Sequence, residues 1–367
     1  MTRAVIKVGT SSLTAESGEI SLDAVAKLVA ELAEQRTLGH EVVLVSSGAI
    51  AAGMPALNMQ SRPTDLPTLQ ALAAVGQSRL MRAYDDAFAA AGLVSGQVLL
   101  AGYDFGHRRQ YLQARATLQR LLALGVVPIV NENDAVANDE IRFGDNDRIA
   151  ALVAHSVAAD VLLLLTDTAG VFSADPRVND DASLIEEIAA NDADLAADLG
   201  GSGTERGSGG MASKVAAARM AQWAGIDAVI AAAGRRGVVR DVMAGVAGVG
   251  TRFTARAERL TARKLWIGFA LPAEGTIVVD AGAARALLAH GRSLLPAGVV
   301  SVEGDFDADA AVEVLDHSGR LVAKGLACVD SVWVRSAAGK RTDELGALAD
   351  SGMREVIHRD DLVILAD

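Results

Sequence analysis

The sequence predicts an α/β protein, a three-layer sandwich on a mainly parallel central sheet, followed by a small β-rich domain. Three observations carry this expectation. Short β-branched runs alternate with longer amphipathic segments over the first two-thirds of the chain. Those runs are nearly continuous in apolar residues, as strands covered on both faces are. After about residue 255 the pattern changes to short alternating pieces.

In chain order, "RAVIKVG" (Arg3 to Gly9) reads as the first strand. Ser21 is placed to open a helix in which Leu22, Val25, Val29 and Leu32 share a face, ending near Gly39. "EVVLVSSG" is the next strand, and "SGQVLL", "GVVPIVNEND", "DVLLLLTD" and "IDAVIAAAG" follow, with helical patterns between most of them. A charged connector, "RAERLTARK", precedes "GTIVVD", "GVVSVEG", "AAVEVLD", "LVAKGLACV" and "DLVILAD". The expected division is a large domain over 1–257, a connector over 258–271 and a small β-rich domain over 272–367.

Bulk properties narrow the class. A chain of 367 residues with 51% hydrophobic content has room for about two domains at ~100–200 residues each. The single cysteine, Cys328, cannot form a bridge within the chain, and Arg3, Lys7, Glu16 and Glu19 stand where a signal peptide needs an apolar core. A cytoplasmic location is expected. Apolar runs such as "VLLLL" at Val161 to Leu165 fall far short of the ~20 residues that span a bilayer. A net charge of -12, with no basic patch against it, argues against a nucleic-acid partner.

Ligands of such folds sit beyond the carboxyl ends of the strands, and these ends are polar: "KVGTSS", "SSGAI", "NENDAV" and "TDTAG". There is no GxxxxGK[ST] and no GxGxxG after the first strand, so phosphate needs another grip. The stretch "GGSGTERGSGGMASK" offers six glycines between Gly200 and Gly210, then a helix with Lys214 in its first turn. That lysine opposes the helix dipole by ~0.3–1 kcal/mol, whereas an anion bound at the same N-terminus makes it favourable. A phosphate site fits; a surface loop followed by an exposed lysine is the alternative. Lys7, inside "VIKVG", is an ordinary solvated lysine if its strand is an edge, and lines the ligand crevice if the strand is central. Two lysines flanking a transferring phosphoryl group would offset its charge.

The acceptor side differs. "RFGDNDRIAALVAHSV" sets Asp145, Asn146 and Asp147 before an apolar run, where one helix cap would suffice. With Ser47 and Gly48 at one strand end and Asp134 in "NENDAV", they form a polar, partly anionic set. Carboxylates suit an ammonium group, while a hydroxyl, backbone N–H groups and an amide bind a carboxylate, which describes an amino acid. No histidine falls in these motifs. A carboxylate acceptor needs no general base, being ionised at pH 7, so acyl phosphate formation is open.

Taken together, "VIKVGTSSLT", "VLVSSGAIAAG", "LQALAAVGQSRLM", "VPIVNENDAVANDEIRFGDNDRIAALVA", "LLLLTDTAGVFSADPR" and "GSGGMASKVAAARMAQWAGID" resemble the glutamate 5-kinase family of the amino acid kinase superfamily, over nearly the whole chain. "GTIVVDAGAARALLAHGRSLLPAGVVSVEG" resembles a PUA domain. The resemblance implies an amino acid kinase fold, ATP-dependent phosphorylation of the L-glutamate γ-carboxylate as the first step of proline synthesis, Mg²⁺ as cofactor, and feedback inhibition by proline. A homo-oligomer is expected, with glutamyl phosphate reductase as a candidate partner. By motif, Lys7 is expected on ATP phosphate, and Ser47, Gly48, Asp134 and Asn146 on glutamate. Thr166 and Asp167, with Ser208, Gly209, Gly210, Met211, Ala212, Ser213 and Lys214, are expected to hold the nucleotide, and Asp147 to orient the catalytic lysines Lys7 and Lys214. Ser208 stands where the family pattern has threonine, and keeps the hydroxyl.

Other readings are weaker. A UMP kinase would favour basic residues around its acceptor phosphate, and an acetylglutamate kinase substrate has no ammonium for Asp134, Asp145 and Asp147. An RNA-binding role for the PUA-like region meets 9 Lys and Arg against 15 Asp and Glu from Gly275 to Asp367, a net −6, which is poor for a phosphate-binding surface.

Overall fold

The structure, a computed structural model, describes the chain except residues 16–17, 60, 102–103, 106–107, 137–144, 180, 190–209, 258, 346–354 and 366–367. The chain divides into two compact units, Met1–Arg259 and Leu260–Asp367.

The first unit is built on an eight-stranded sheet of order β3-β4-β2-β1-β5-β7-β8-β6. Its strands are β1 (Arg3–Val8), β2 (Glu41–Ser46), β3 (Ser95–Leu100), β4 (Val127–Glu132), β5 (Val161–Thr166), β6 (Glu187–Ile188), β7 (Asp227–Ala232) and β8 (Thr251–Phe253). β3, β4, β2, β1, β5 and β7 pair in parallel. β8 pairs antiparallel with β7, and β6 parallel with β8. The short strands β8 and β6 at this end of the sheet carry too few residues for an alternation to stand out in the sequence. β1 lies between β2 and β5, so Lys7 is not on an edge. The order of strands reverses there too, since β2 lies on one side of β1 and β5 on the other, and such a switch point opens a crevice at the strand ends.

Period-two alternation divides β1 between the two helical layers. Ala4, Ile6 and Val8 join one core with Val42 and Leu44 of β2, Val25, Val29 and Leu32 of α1 (Leu22–Thr37), and Leu80, Met81, Tyr84 and Phe88 of α3 (Leu66–Ala90). Fully burying one such aliphatic chain stabilises by about 1.5–3 kcal/mol. Helix starts follow local chemistry: the Ser21 hydroxyl accepts from Ala24 N at 3.2 Å, and the Asp65 carboxylate from Thr68 N at 3.0 Å. On the other face, α5 (Asp145–Ser156) packs against α6 (Met211–Trp223). Earlier in the sequence, α4 spans Arg108–Ala123, between α3 and α5, and α2 is the short Ala49–Gly53, between α1 and α3.

The second unit has its own sheet, order β10-β9-β11-β12-β13, from β9 (Gly275–Val279), β10 (Val299–Glu303), β11 (Ala311–Leu315), β12 (Leu321–Ala327) and β13 (Ile357–Ile364). Its separate core includes Ile277, Val279, Val312, Val314, Val334 and Leu362. Helices at Ala281–His290 and Ser331–Ala337, capped by Asp280 and Asp330, were not evident from the alternating pieces. β13 starts at Ile357, ahead of "DLVILAD", because pairing with β12 reaches back to Ala327. Among the described residues no helix is long and apolar enough to cross a membrane.

Candidate active site

Lys7 is the alternation's exception. It points away from the Ile6 and Val8 face, toward α5 and α6, and is 5% exposed. A buried ammonium requires a counter-charge. Asp147, in the first turn of α5 and 0% exposed, supplies it: Lys7 Nζ lies 2.8 Å from Asp147 Oδ1, and Lys214 Nζ of α6 lies 3.3 Å from Oδ2. Ser213 Oγ donates to the same Oδ2 at 2.7 Å. One carboxylate from α5 thus holds two lysines from β1 and α6. Burial pulls the Lys7 pKa below its ordinary value, the Asp147 carboxylate acts against this, and the Lys214 charge adds to it.

Gly210 caps α6 without a side chain, and the first turn holds no acidic residue, leaving backbone N–H groups and their dipole beside Lys214, a pattern suited to an anion. Met211, Ala212 and Ser213 follow in that turn. Ser208 and Gly209 lie outside the described residues, as does the Asp145 side chain. Gly9, directly after β1, has φ −84 and ψ 162, open to any residue. An added Cβ would stand 3.7 Å from Lys7 Nζ and 4.0 Å from Ser11 Oγ. Neither backbone nor packing calls for glycine there; what its missing side chain provides is room beside the ammonium. At the end of β5, Thr166 is buried, its hydroxyl donates to Asp167 Oδ1 at 3.1 Å, and Asp167 is exposed.

Asn146 faces the other way from Asp147. Its Nδ2 donates to Ser47 Oγ at 3.2 Å and to Asn131 Oδ1 at 3.0 Å, and its Oδ1 accepts from Glu132 N at 3.2 Å. This joins the ends of β2 and β4 to α5. Gly48 follows Ser47 with φ 107, a conformation glycine adopts freely. Asp134 opens a short 3-10 turn after β4, half-buried. Beside it the charge of Arg62 is opposed by burial and supported by Asp134.

The sequence reasoning missed Asn131 and Gln77. Asn131 is 1% exposed and donates to Gln77 Oε1 at 2.8 Å, which fixes the amide that Asn146 meets. They stand in the motifs "NEND" and "VGQS", and for Asn131 the available signal was a position at the polar end of the apolar run "VVPIV". The contact of α2 with α3 was also missed: a Cβ on Gly76 would fall 1.8 Å from Ala49 O, and one on Gly53 2.1 Å from Leu72 O. Two glycines let these helices touch backbone to backbone.

Fold and site together describe a phosphotransferase with a carboxylate-bridged lysine pair at a parallel-sheet switch point. Residues 2–232 match the amino acid kinase family, and residues 275–347 the PUA domain. The chain belongs to the amino acid kinase family. It is 50% identical over 305 residues to a glutamate 5-kinase of Moorella thermoacetica, covering 83% of this chain and 80% of that protein. It is 49% identical over 308 residues to a glutamate 5-kinase of Geobacter sp. strain M21, covering 83% and 82%. Among solved structures, a carbamate kinase from Giardia lamblia bound to AMP-PNP has the same fold, with a TM-score of 0.51 at 17% identity, over 70% of this chain and 99% of that one.

Proposed function

We propose that the protein transfers the terminal phosphoryl group of ATP to the γ-carboxylate of L-glutamate, giving glutamyl 5-phosphate and ADP, the first step of proline biosynthesis. The observation that carries the reading is the buried Lys7–Asp147–Lys214 bridge beside an amide and hydroxyl cluster at Asn146 and Ser47. Relatives named glutamate 5-kinase at about half identity support the substrate.

An acceptor carboxylate oxygen attacks phosphorus as the bond to ADP breaks. No proton moves, so no general base is needed; the chain's work is charge and position. Lys7 and Lys214 offset charge on the transferring phosphoryl oxygens, and Asp147 holds both ammonium groups on it. Ser47, Gly48 and Asn146 bind the acceptor, and Asp134 its ammonium group. Thr166, Asp167 and the first turn of α6 from Gly210 to Lys214, with Ser208 and Gly209 before it in the sequence, hold the nucleotide.

Mg²⁺, implied by the resemblance, would supply counter-charge to the nucleotide phosphates. Among the described residues no group of three or more His, Cys, Asp or Glu is placed to hold an ion, and Asp147 has both oxygens against lysines. These residues do not fit a protein-built Mg²⁺ cage, and a cation carried by the triphosphate requires none. Feedback inhibition by proline, a homo-oligomer, delivery of the product to glutamyl phosphate reductase and a cytoplasmic location belong to the same reading. The test is ADP release over a panel of amino and carboxylic acids, with hydroxylamine trapping the acyl phosphate. Release with UMP and none with glutamate overturns it.

A further inference from the structure

Behind the acceptor loop lies a hydroxyl pair that the reaction derived above leaves unused. Tyr84 of α3 is 0% exposed and lies in the core that also takes in Ala52 of α2. A buried phenol hydroxyl needs a partner, and Tyr84 OH has one, the fully buried Ser46 Oγ at 2.8 Å. Ser46 Oγ in turn donates to the Ser47 carbonyl oxygen at 2.9 Å. A serine hydroxyl has a single proton, so with that proton on Ser47 the bond between the two hydroxyls is donated by Tyr84. Burial raises the phenol's pKa well above its ordinary value, which keeps the donor protonated.

The chain of protons therefore runs Tyr84 O–H to Ser46 O–H to Ser47 C=O. The Ser47–Gly48 peptide is trans and planar, and its C=O and N–H point in opposite directions. Pinning the carbonyl toward Ser46 turns the Gly48 N–H the other way. The Ser47 hydroxyl next to it is held by Asn146 Nδ2 at 3.2 Å. A phenylalanine would fill the volume of Tyr84, so packing alone does not call for the hydroxyl.

Resting on the proposed glutamate kinase reading, we propose that Tyr84 is a positioning residue for the acceptor: through Ser46 it sets the plane of the Ser47–Gly48 peptide, and with it the direction in which the Gly48 N–H meets the substrate carboxylate. It touches no substrate itself.

The experiment compares wild type, Tyr84→Phe, Ser46→Ala and the double variant in the full chain, recording KM for glutamate, KM for ATP, kcat and Tm. Loss of one neutral hydrogen bond from a positioning chain is expected to raise KM for glutamate roughly three- to tenfold. KM for ATP should stay within about twofold. Both substitutions break one chain, so the double variant should be no worse than Ser46→Ala alone. Equal changes in both KM values, additive effects, or a lower Tm with unchanged KM for glutamate would overturn the proposal. If Tyr84→Phe does not fold, Ser46→Ala breaks the chain one link later and reads the same split. A wild-type enzyme that phosphorylates a different carboxylic acid overturns the glutamate reading alone, and the split is then read on that acid.

Discussion

Replacing Asp147 by asparagine keeps the volume of the side chain and removes the charge that two buried lysines share. Lys7 Nζ lies 2.8 Å from one carboxylate oxygen and Lys214 Nζ 3.3 Å from the other. At an effective dielectric of about 20, a contact near 3 Å is worth about 5 kcal/mol. The lysines recover part of that by swinging into the crevice or by losing a proton. Breaking buried pairs by removing one partner costs about 3–5 kcal/mol. At about 1.4 kcal/mol per tenfold in rate, that corresponds to a kcat lower by about 10² to 10⁴ if the loss falls on the transition state. The pH profile carries a second sign. Only the ammonium form of Lys7 offsets phosphate charge, and its pKa is lowered from 10.5 by burial, raised by Asp147 and lowered again by Lys214. Wild-type kcat should therefore fall as pH rises through a value below 10.5. In Asp147→Asn the raising contribution is gone, so this basic limb moves to lower pH. The assay is glutamate-dependent ADP release at saturating substrates across the pH range, with thermal melts to establish folding. A folded variant within about tenfold of wild-type kcat, with the basic limb unmoved, refutes the reasoning.

Three further outcomes are expected. Asn146→Ala removes the link among Ser47, Asn131 and Glu132 N, and should raise KM for glutamate more than KM for ATP; a selective loss of ATP binding would reverse the division of the crevice. Gly9→Ala meets no close contact in the protein and should leave Tm unchanged while lowering kcat by about tenfold or more, as a methyl takes room beside Lys7; an unchanged kcat would return Gly9 to an ordinary loop. A chain ending after Arg259 retains the core around Ile6 and Leu44 and all the residues assigned to chemistry, so it should keep glutamate-dependent ADP formation while its oligomeric state or response to proline changes. Gel filtration and proline titrations at equal protein concentration read this, and an inactive but folded truncation would mean the second unit completes the active site.

Alternation between apolar runs and amphipathic segments determined the layered α/β architecture by itself, because a strand covered on both faces must be apolar throughout and a helix on one face only. The same logic marked Lys7: a charge inside "VIKVG" has no place in a covered strand unless something answers it. The motifs also placed Ser47, Asp134, Asn146 and Lys214 at strand ends and a helix start. What the sequence left open was which groups meet. Whether β1 was central or an edge decided if Lys7 was solvated, and only the strand order answered that. Asp147 and Asn146 are neighbours in the chain, yet helical geometry turns them about 100° apart, one to the lysines and one to the acceptor loop. The roles of Asn131, Gln77, Ser46 and Tyr84 were not legible, since the sequence around a polar group shows neither its burial nor its partner. Pairings such as Tyr84 with Ser46, 38 residues apart, are set by the register of packed layers, and no local propensity encodes them.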